Sequence, residues 1–112
     1  MSILKSISDF LFGREHFHME ASEYLKRGIA KIALDDFKGA IHDFTSAIDQ
    51  APECAEAYYN RGLVQDYFGD SAAATEDLLI AKDLFEKQGI TLHNDDIDSK
   101  LRELAEGGHH TP

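Results

Sequence analysis

His16, His18 and Glu20 stand close enough in the chain to raise a metal site, since imidazole and carboxylate are common ligands of zinc and related ions, and His16 and Glu20 would share one helical face. No third and fourth ligand at diagnostic spacing accompanies them, so they are expected to form a polar linker, with no metal. His42 lies beside Asp43 on a mostly polar helix face and is expected to be a solvated histidine, not a catalytic base. His93 falls in a loop, and His109 and His110 in a tail; none has a nucleophile nearby in sequence. Cys54 would need an activating histidine to act as a nucleophile, and is expected to be a small, partly buried residue in a turn. The acid pairs Asp35/Asp36, Glu76/Asp77 and Asp95/Asp96 occur at helix beginnings or on polar faces, where negative charge favours the helix dipole. They read as caps before catalysts. Gly107 and Gly108 precede no helix, so no phosphate-cradling loop is present. The expectation is a protein without catalytic residues or cofactor.

The elements that could position such groups are bounded by composition. With 112 residues the chain has room for one compact domain. Its 43% hydrophobic and 29% charged residues, with a mean hydropathy of −0.35, are those of a globular chain, too apolar for disorder and too polar for a membrane protein. Eleven basic against 21 acidic side chains give a formal charge of −10, split −4 and −6 between residues 1–56 and 57–112. Such a field repels phosphate backbones, so no nucleic acid partner is expected. The single cysteine demands no oxidising compartment, and the start has one lysine, Asp9 inside its apolar stretch and no small-residue cleavage pattern. A cytoplasmic protein is expected, and with no apolar run near the roughly 18–20 residues of a span, membrane insertion is not.

An internal repeat organises the middle of the chain. Residues 21–54 laid over 55–88, a shift of 34, give nine identities: Ala21/Ala55, Tyr24/Tyr58, Arg27/Arg61, Gly28/Gly62, Asp36/Asp70, Ala40/Ala74, Asp43/Asp77, Ala47/Ala81 and Asp49/Asp83. Small residues and an aromatic recur where two helices must approach closely. Each unit reads as an antiparallel helix pair. Tyr24, Ile29, Ala30 and Leu34 give an apolar face over residues 22–34, and Phe37, Ala40, Ile41, Phe44, Ala47 and Ile48 do so over 37–50. Asp35 or Asp36 caps the second helix and Pro52 ends it. Tyr58, Gly62, Val64 and Phe68 mark a helix over 55–68; Gly69 supplies a left-handed turn, Asp70 or Ser71 the next cap, and Ala74, Leu78, Ala81, Leu84 and Phe85 a fourth helix to about residue 87. Tyr24, Ala30, Phe44, Ala47, Tyr58, Leu78 and Ala81 are the expected core.

The pattern Tyr24, Gly28, Ala40, Phe44, Ala47 and Pro52, then Tyr58, Gly62, Ala74, Leu78 and Ala81, resembles the tetratricopeptide repeat family, over residues 21–88. Lys31 and Gln65 depart from it where an aromatic or apolar residue is usual, as do Asp35 in place of glycine and Glu86 in place of a second proline. The resemblance implies an all-α, right-handed α-solenoid of two helix pairs (21–54 and 55–88). Residues 1–20 are expected to hold an N-terminal amphipathic helix and linker. Residues 89–106 should form a capping helix, with Ile97, Leu101, Leu104 and Ala105 on one face, and residues 107–112 a flexible tail.

Two units leave apolar faces open at both ends of a stack, so the flanks must contribute. Ile3, Leu4, Ile7, Phe10, Leu11 and Phe12 make an apolar stripe with three readings: a helix packed on the first repeat or in its groove, a self-association surface centred on Ile3, Ile7, Phe10 and Leu11, or membrane-surface binding, the last disfavoured by a single lysine on an acidic chain.

The resemblance implies a non-enzymatic module that binds a peptide or helix of a protein partner, as an adaptor or assembly factor; the competing reading is a self-associating scaffold or homo-oligomer. Family groove positions fall on Leu25, Lys26, Ile29, Tyr59, Asn60, Leu63 and Tyr67, with Asp66 nearby. Leu25, Ile29 and Leu63 can bury apolar groups, the tyrosines offer area at low entropic cost, and Asn60 can bond a peptide backbone. Leu25 and Ile29 occupy places where some relatives carry a carboxylate clamp, so none is expected. The expected ligand has an apolar stripe and room for a basic residue, with a terminal helix of the same chain as the rival occupant.

Overall fold

A computed structural model of the chain describes residues 19–107. They form five helices, α1 (Ala21–Ala33), α2 (Phe37–Gln50), α3 (Ala55–Tyr67), α4 (Ser71–Lys87) and α5 (Asn94–Ala105), and no strand occurs among the described residues. The expected N-terminal helix and the stripe of Ile3, Ile7, Phe10 and Leu11 lie outside the described residues, as do His16, His18 and the last part of the tail. None of the described helices is long and apolar enough to cross a membrane.

Local chemistry sets the helix ends. The Glu20 backbone N–H donates to Glu23 Oε1 at 2.8 Å, opening α1. Asp36 and Asp70, one repeat apart, accept from the N–H groups of Gly39 and Ala73 at 3.0 and 3.2 Å and cap α2 and α4. Ahead of each cap the chain turns through the left-handed region. Gly69 does so with φ 85°, and Asp35 at the matching place of the first unit with φ 61°, a conformation that costs a side-chain-bearing residue energy and glycine almost none. Gln50 and Gln88, near the ends of α2 and α4, donate from their amides to the carbonyls of Met19 and Glu53 at 2.6 and 2.8 Å, each tying a unit's end to the chain just ahead of that unit's first helix.

Each helix packs on its neighbours in sequence, α1 on α2, α2 on α3, α3 on α4 and α4 on α5, and α1 also touches α3. Two apolar clusters hold the helices together. In the first, Ala40, Phe44 and Ala47 of α2 meet Ala57 and Val64 of α3, with Tyr24, Leu25, Ile32, Phe37 and Ile41 packed around them. In the second, Ala55, Ala74, Leu78, Ala81 and Phe85 meet Ile97 and Leu104 of α5. Burying a side chain such as Phe44 or Leu78 completely contributes about 1.5–3 kcal/mol relative to leaving it in water. Gly28 makes the first pair possible: a Cβ there would sit 2.6 Å from the Phe44 ring. Gly62 faces Leu78 with slightly more room, its own imagined Cβ 3.1 Å from Leu78 Cγ.

The core differs from expectation at three of its seven residues. Tyr24 and Tyr58 are half-buried, because each lies beside a guanidinium at the edge of the pair, Arg27 5.6 Å and Arg61 5.7 Å from the respective ring centres. Ala30 is exposed, together with Leu34 at 77% and Ile29 at 43%. The inward face of α1 is instead Ala21, Tyr24, Leu25, Gly28 and Ile32, whereas Ala30 and Leu34 point away from α2. Of the apolar face expected on α5, Ile97 and Leu104 are buried and Leu101 half-buried, but Ala105 is exposed.

Candidate functional site

Three aspartates are buried among the described residues, and their surroundings decide what chemistry they can do. Asp43 of α2 receives Arg27 Nε and Nη2 of α1, both at 2.9 Å, and Lys31 Nζ at 3.1 Å. Asp77 of α4 receives Arg61 Nε and Nη2 of α3 at 2.7 and 2.9 Å. Gln65, with its amide nitrogen turned toward the carboxylate, adds a bond of 2.9 Å to Asp77. The two forks are the same interaction at a 34-residue shift, and Lys31 and Gln65 occupy corresponding places. Both residues thus stand where the repeat pattern would have an apolar residue because a buried carboxylate needs a further donor there. The Arg27 guanidinium holds the Asp43 carboxyl below the ordinary carboxylate range, with help from Lys31, and Asp43 in turn raises Arg27. His42 Nδ1 lies 3.9 Å from Asp43, but His42 is largely exposed and both carboxylate oxygens are bound by arginine. These groups lock each helix pair in register; they are not poised to move a proton.

Cys54 sits half-buried at the N-cap of α3, and burial raises its thiol above the usual range, which leaves little reactive thiolate. Among the described residues no cluster of histidine, cysteine and acidic side chains is placed to hold a metal ion.

The residues read as partner-binding are set out on α1 and α3, the first helices of the two units, which also touch each other. On α1, Ile29 and Lys26 are exposed and Leu25 is half-buried against the first cluster. On α3, Tyr59, Asn60 and Leu63 are half-buried, and Tyr67 is 66% exposed with its ring 4.5 Å from that of Phe37. Asn60 donates from Nδ2 to the Glu56 carbonyl at 2.8 Å, so part of its bonding capacity is used within its own helix. Asp66 is buried and pairs with Lys100 of α5 at 3.0 Å.

Helix α5, a terminal helix of the kind raised as rival occupant of the groove, borders this face. Tyr59 and Leu63 pack with Leu101 against the second cluster, and the His93 ring lies 4.8 Å from both Tyr59 and Phe85. Between α3 and α5 lies an open cleft of about 340 Å³ lined by Tyr59, Leu63, Asp96, Ser99, Lys100 and Glu103. Tyr59 and Leu63 of α3 form one side of it, and Asp96, Ser99, Lys100 and Glu103 of α5 the other. Glu103, then Asp66, hold the Lys100 ammonium above its ordinary range, while burial, reinforced by Asp96, raises the Tyr59 phenol. At neutral pH Tyr59 is therefore a neutral hydroxyl able to donate or accept.

No family model matches the chain. A 69-residue stretch, 62% of the chain, is 41% identical to the tetratricopeptide repeat protein 36 homolog of Nematostella vectensis, and covers 38% of that relative's length.

Proposed function

We propose that the chain carries tetratricopeptide repeats and is a non-enzymatic protein-interaction module, an adaptor or assembly factor, whose two helix pairs form a right-handed stack that presents α1, α3 and the neighbouring edge of α5 to a peptide or helix of another protein. The observation that supports this most is the apolar surface on successive first helices, with Ile29 and Tyr67 exposed and Leu63 half-buried, next to the cleft that Tyr59 and Leu63 line. A ligand with an apolar stripe suits Tyr59 and Leu63, and a basic ligand residue is matched by Asp96, which is exposed in the same cleft. Asp66 is already paired with Lys100 and serves instead to hold α5 against α3.

The test is the affinity for a peptide selected from a random display library against the full chain. Ile29→Ser combined with Leu63→Ala should weaken binding by about ten-fold or more, on the order of 1.4 kcal/mol, without loss of helicity. An affinity unchanged by the pair removes this face from the account.

A further inference from the structure

The outer face of α1 is the counterpart of a face that the second unit packs on α2, burying Val64 and leaving Phe68 50% exposed. In the second unit, Val64 of α3 enters the cluster with Ala40, Phe44 and Ala47 of α2, Phe68 just beyond α3 meets the Phe37 ring edge-on at 6.2 Å, and Arg61 Nη1 reaches Thr45 Oγ1 of α2 at 3.1 Å. One repeat earlier, those three places are Ala30, Leu34 and Arg27. Ala30 and Leu34 are exposed, and the Arg27 side chain is 47% exposed against 20% for Arg61. An α2-like helix on this face would complete the series.

The first residues of the chain carry the register of such a helix. Shifted by 34, Ser2 falls on the caps Asp36 and Asp70, Ser6 on the buried Ala40 and Ala74, and Gly13 on the buried Ala47 and Ala81. Ile7, Asp9 and Phe10 coincide with Ile41, Asp43 and Phe44, and Leu11 and Phe17 coincide with Leu79 and Phe85. The 34-residue period therefore runs through the second half of a unit ahead of α1. We propose that residues 2–16 of this same chain form a helix of the α2 type that covers the Ala30 and Leu34 face of α1, with Ile3 over Leu34 as Phe37 lies over Phe68, and Phe10 toward Ala30 as Phe44 lies toward Val64. The apolar stripe is then an internal half-repeat that closes the open end of the stack, and it leaves the face of Ile29, Leu63 and Tyr67 to a partner.

Cross-linking in the full chain tests this. In a Cys54→Ser background, Ile3→Cys with Leu34→Cys should be joined within one chain by a short bis-maleimide, about ten-fold or more in excess over the control pair of Ile3→Cys with Leu92→Cys, because neighbouring groups react at a much higher effective concentration. Leu92 is 80% exposed in the segment between α4 and α5. Equal yields for the two pairs, or no 3–34 product, overturn the assignment. Links between two chains overturn it in favour of a second copy as occupant. A second variant, Phe10→Asp, should speed amide exchange along α1 while leaving the middle of α4 protected; unchanged exchange in α1 contradicts the proposal.

Discussion

Replacing Gly28 by alanine probes the contact on which the first helix pair depends. The added Cβ would lie 2.6, 2.8 and 3.0 Å from Cε1, Cδ1 and Cζ of Phe44, a ring with no solvent exposure and therefore no free direction in which to swing. Overpacking of this kind costs about 1–3 kcal/mol, and the 2.6 Å approach puts Gly28 near the upper end. Against it stands the gain of about 1 kcal/mol for alanine over glycine inside a helix. The net expectation is a loss of about 2 kcal/mol. The same change at Gly62 meets Leu78 Cγ at 3.1 Å and Ala74 O at 3.3 Å, contacts that a shift of a few tenths of an ångström relieves. Gly62→Ala should therefore stay within about 0.5 kcal/mol of the parent, the helix gain offsetting the tighter fit. Because unit two places leucine where unit one has Phe44, Gly28→Ala should be partly rescued by Phe44→Leu, with a coupling of about 1 kcal/mol or more in a double-mutant cycle. Urea unfolding followed by circular dichroism measures all five proteins. Additive losses in the cycle, or equal effects at Gly28 and Gly62, would refute the reasoning.

Three further outcomes follow from the same contacts. Arg61→Ala leaves Asp77 buried without its fork and should cost about 3 kcal/mol, whereas Arg27→Ala should cost less, since Lys31 remains 3.1 Å from Asp43; urea midpoints that reverse this order contradict the assignment. Asp35→Gly should raise stability by about 0.5–1 kcal/mol by relieving the left-handed turn, read as a higher thermal midpoint, and a lower midpoint would show the turn to be unstrained. Asp43 has its folded-state pKa lowered, so its contribution is present above the ordinary carboxylate range and is lost as pH falls through that range and below. Asp43→Asn should therefore flatten the decline of stability with acid, and an unchanged slope of unfolding free energy against pH would contradict that sign.

Much of the fold was legible in the residue pattern because it is carried by local or repeated signals. The spans of α2 and α4 and the glycine at each helix crossing follow from periodicity and a 34-residue offset, and the caps down to a choice between neighbours, Asp35 or Asp36 and Asp70 or Ser71, which the structure decides for Asp36 and Asp70. The arginine–aspartate forks were visible only as identities, Arg27/Arg61 and Asp43/Asp77. Their partners stand 16 residues apart on different helices, so no single-helix pattern joins them. The signal that could have found them was a pair of opposite charges repeating together. Lys31 and Gln65 looked like departures for the same reason. Ala30 was misplaced because its apolar type reports a face to be covered and not which helix covers it. The edge of the candidate site formed by Asp96, Ser99, Lys100 and Glu103 was missed because α5 is not in repeat register, and only its docking brings those residues beside Tyr59 and Leu63.

The central claim, that a partner peptide lies along α1, α3 and the edge of α5, is tested most directly by an amide NMR titration of the full chain with a library-selected peptide carrying apolar residues and one arginine. The account predicts shifts that cluster at Ile29, Asn60, Leu63, Tyr67 and Asp96 and saturate together. Shifts centred on the outer surface of α4, around the exposed Leu79 and Ile80, with the α1 and α3 residues unmoved, would contradict it.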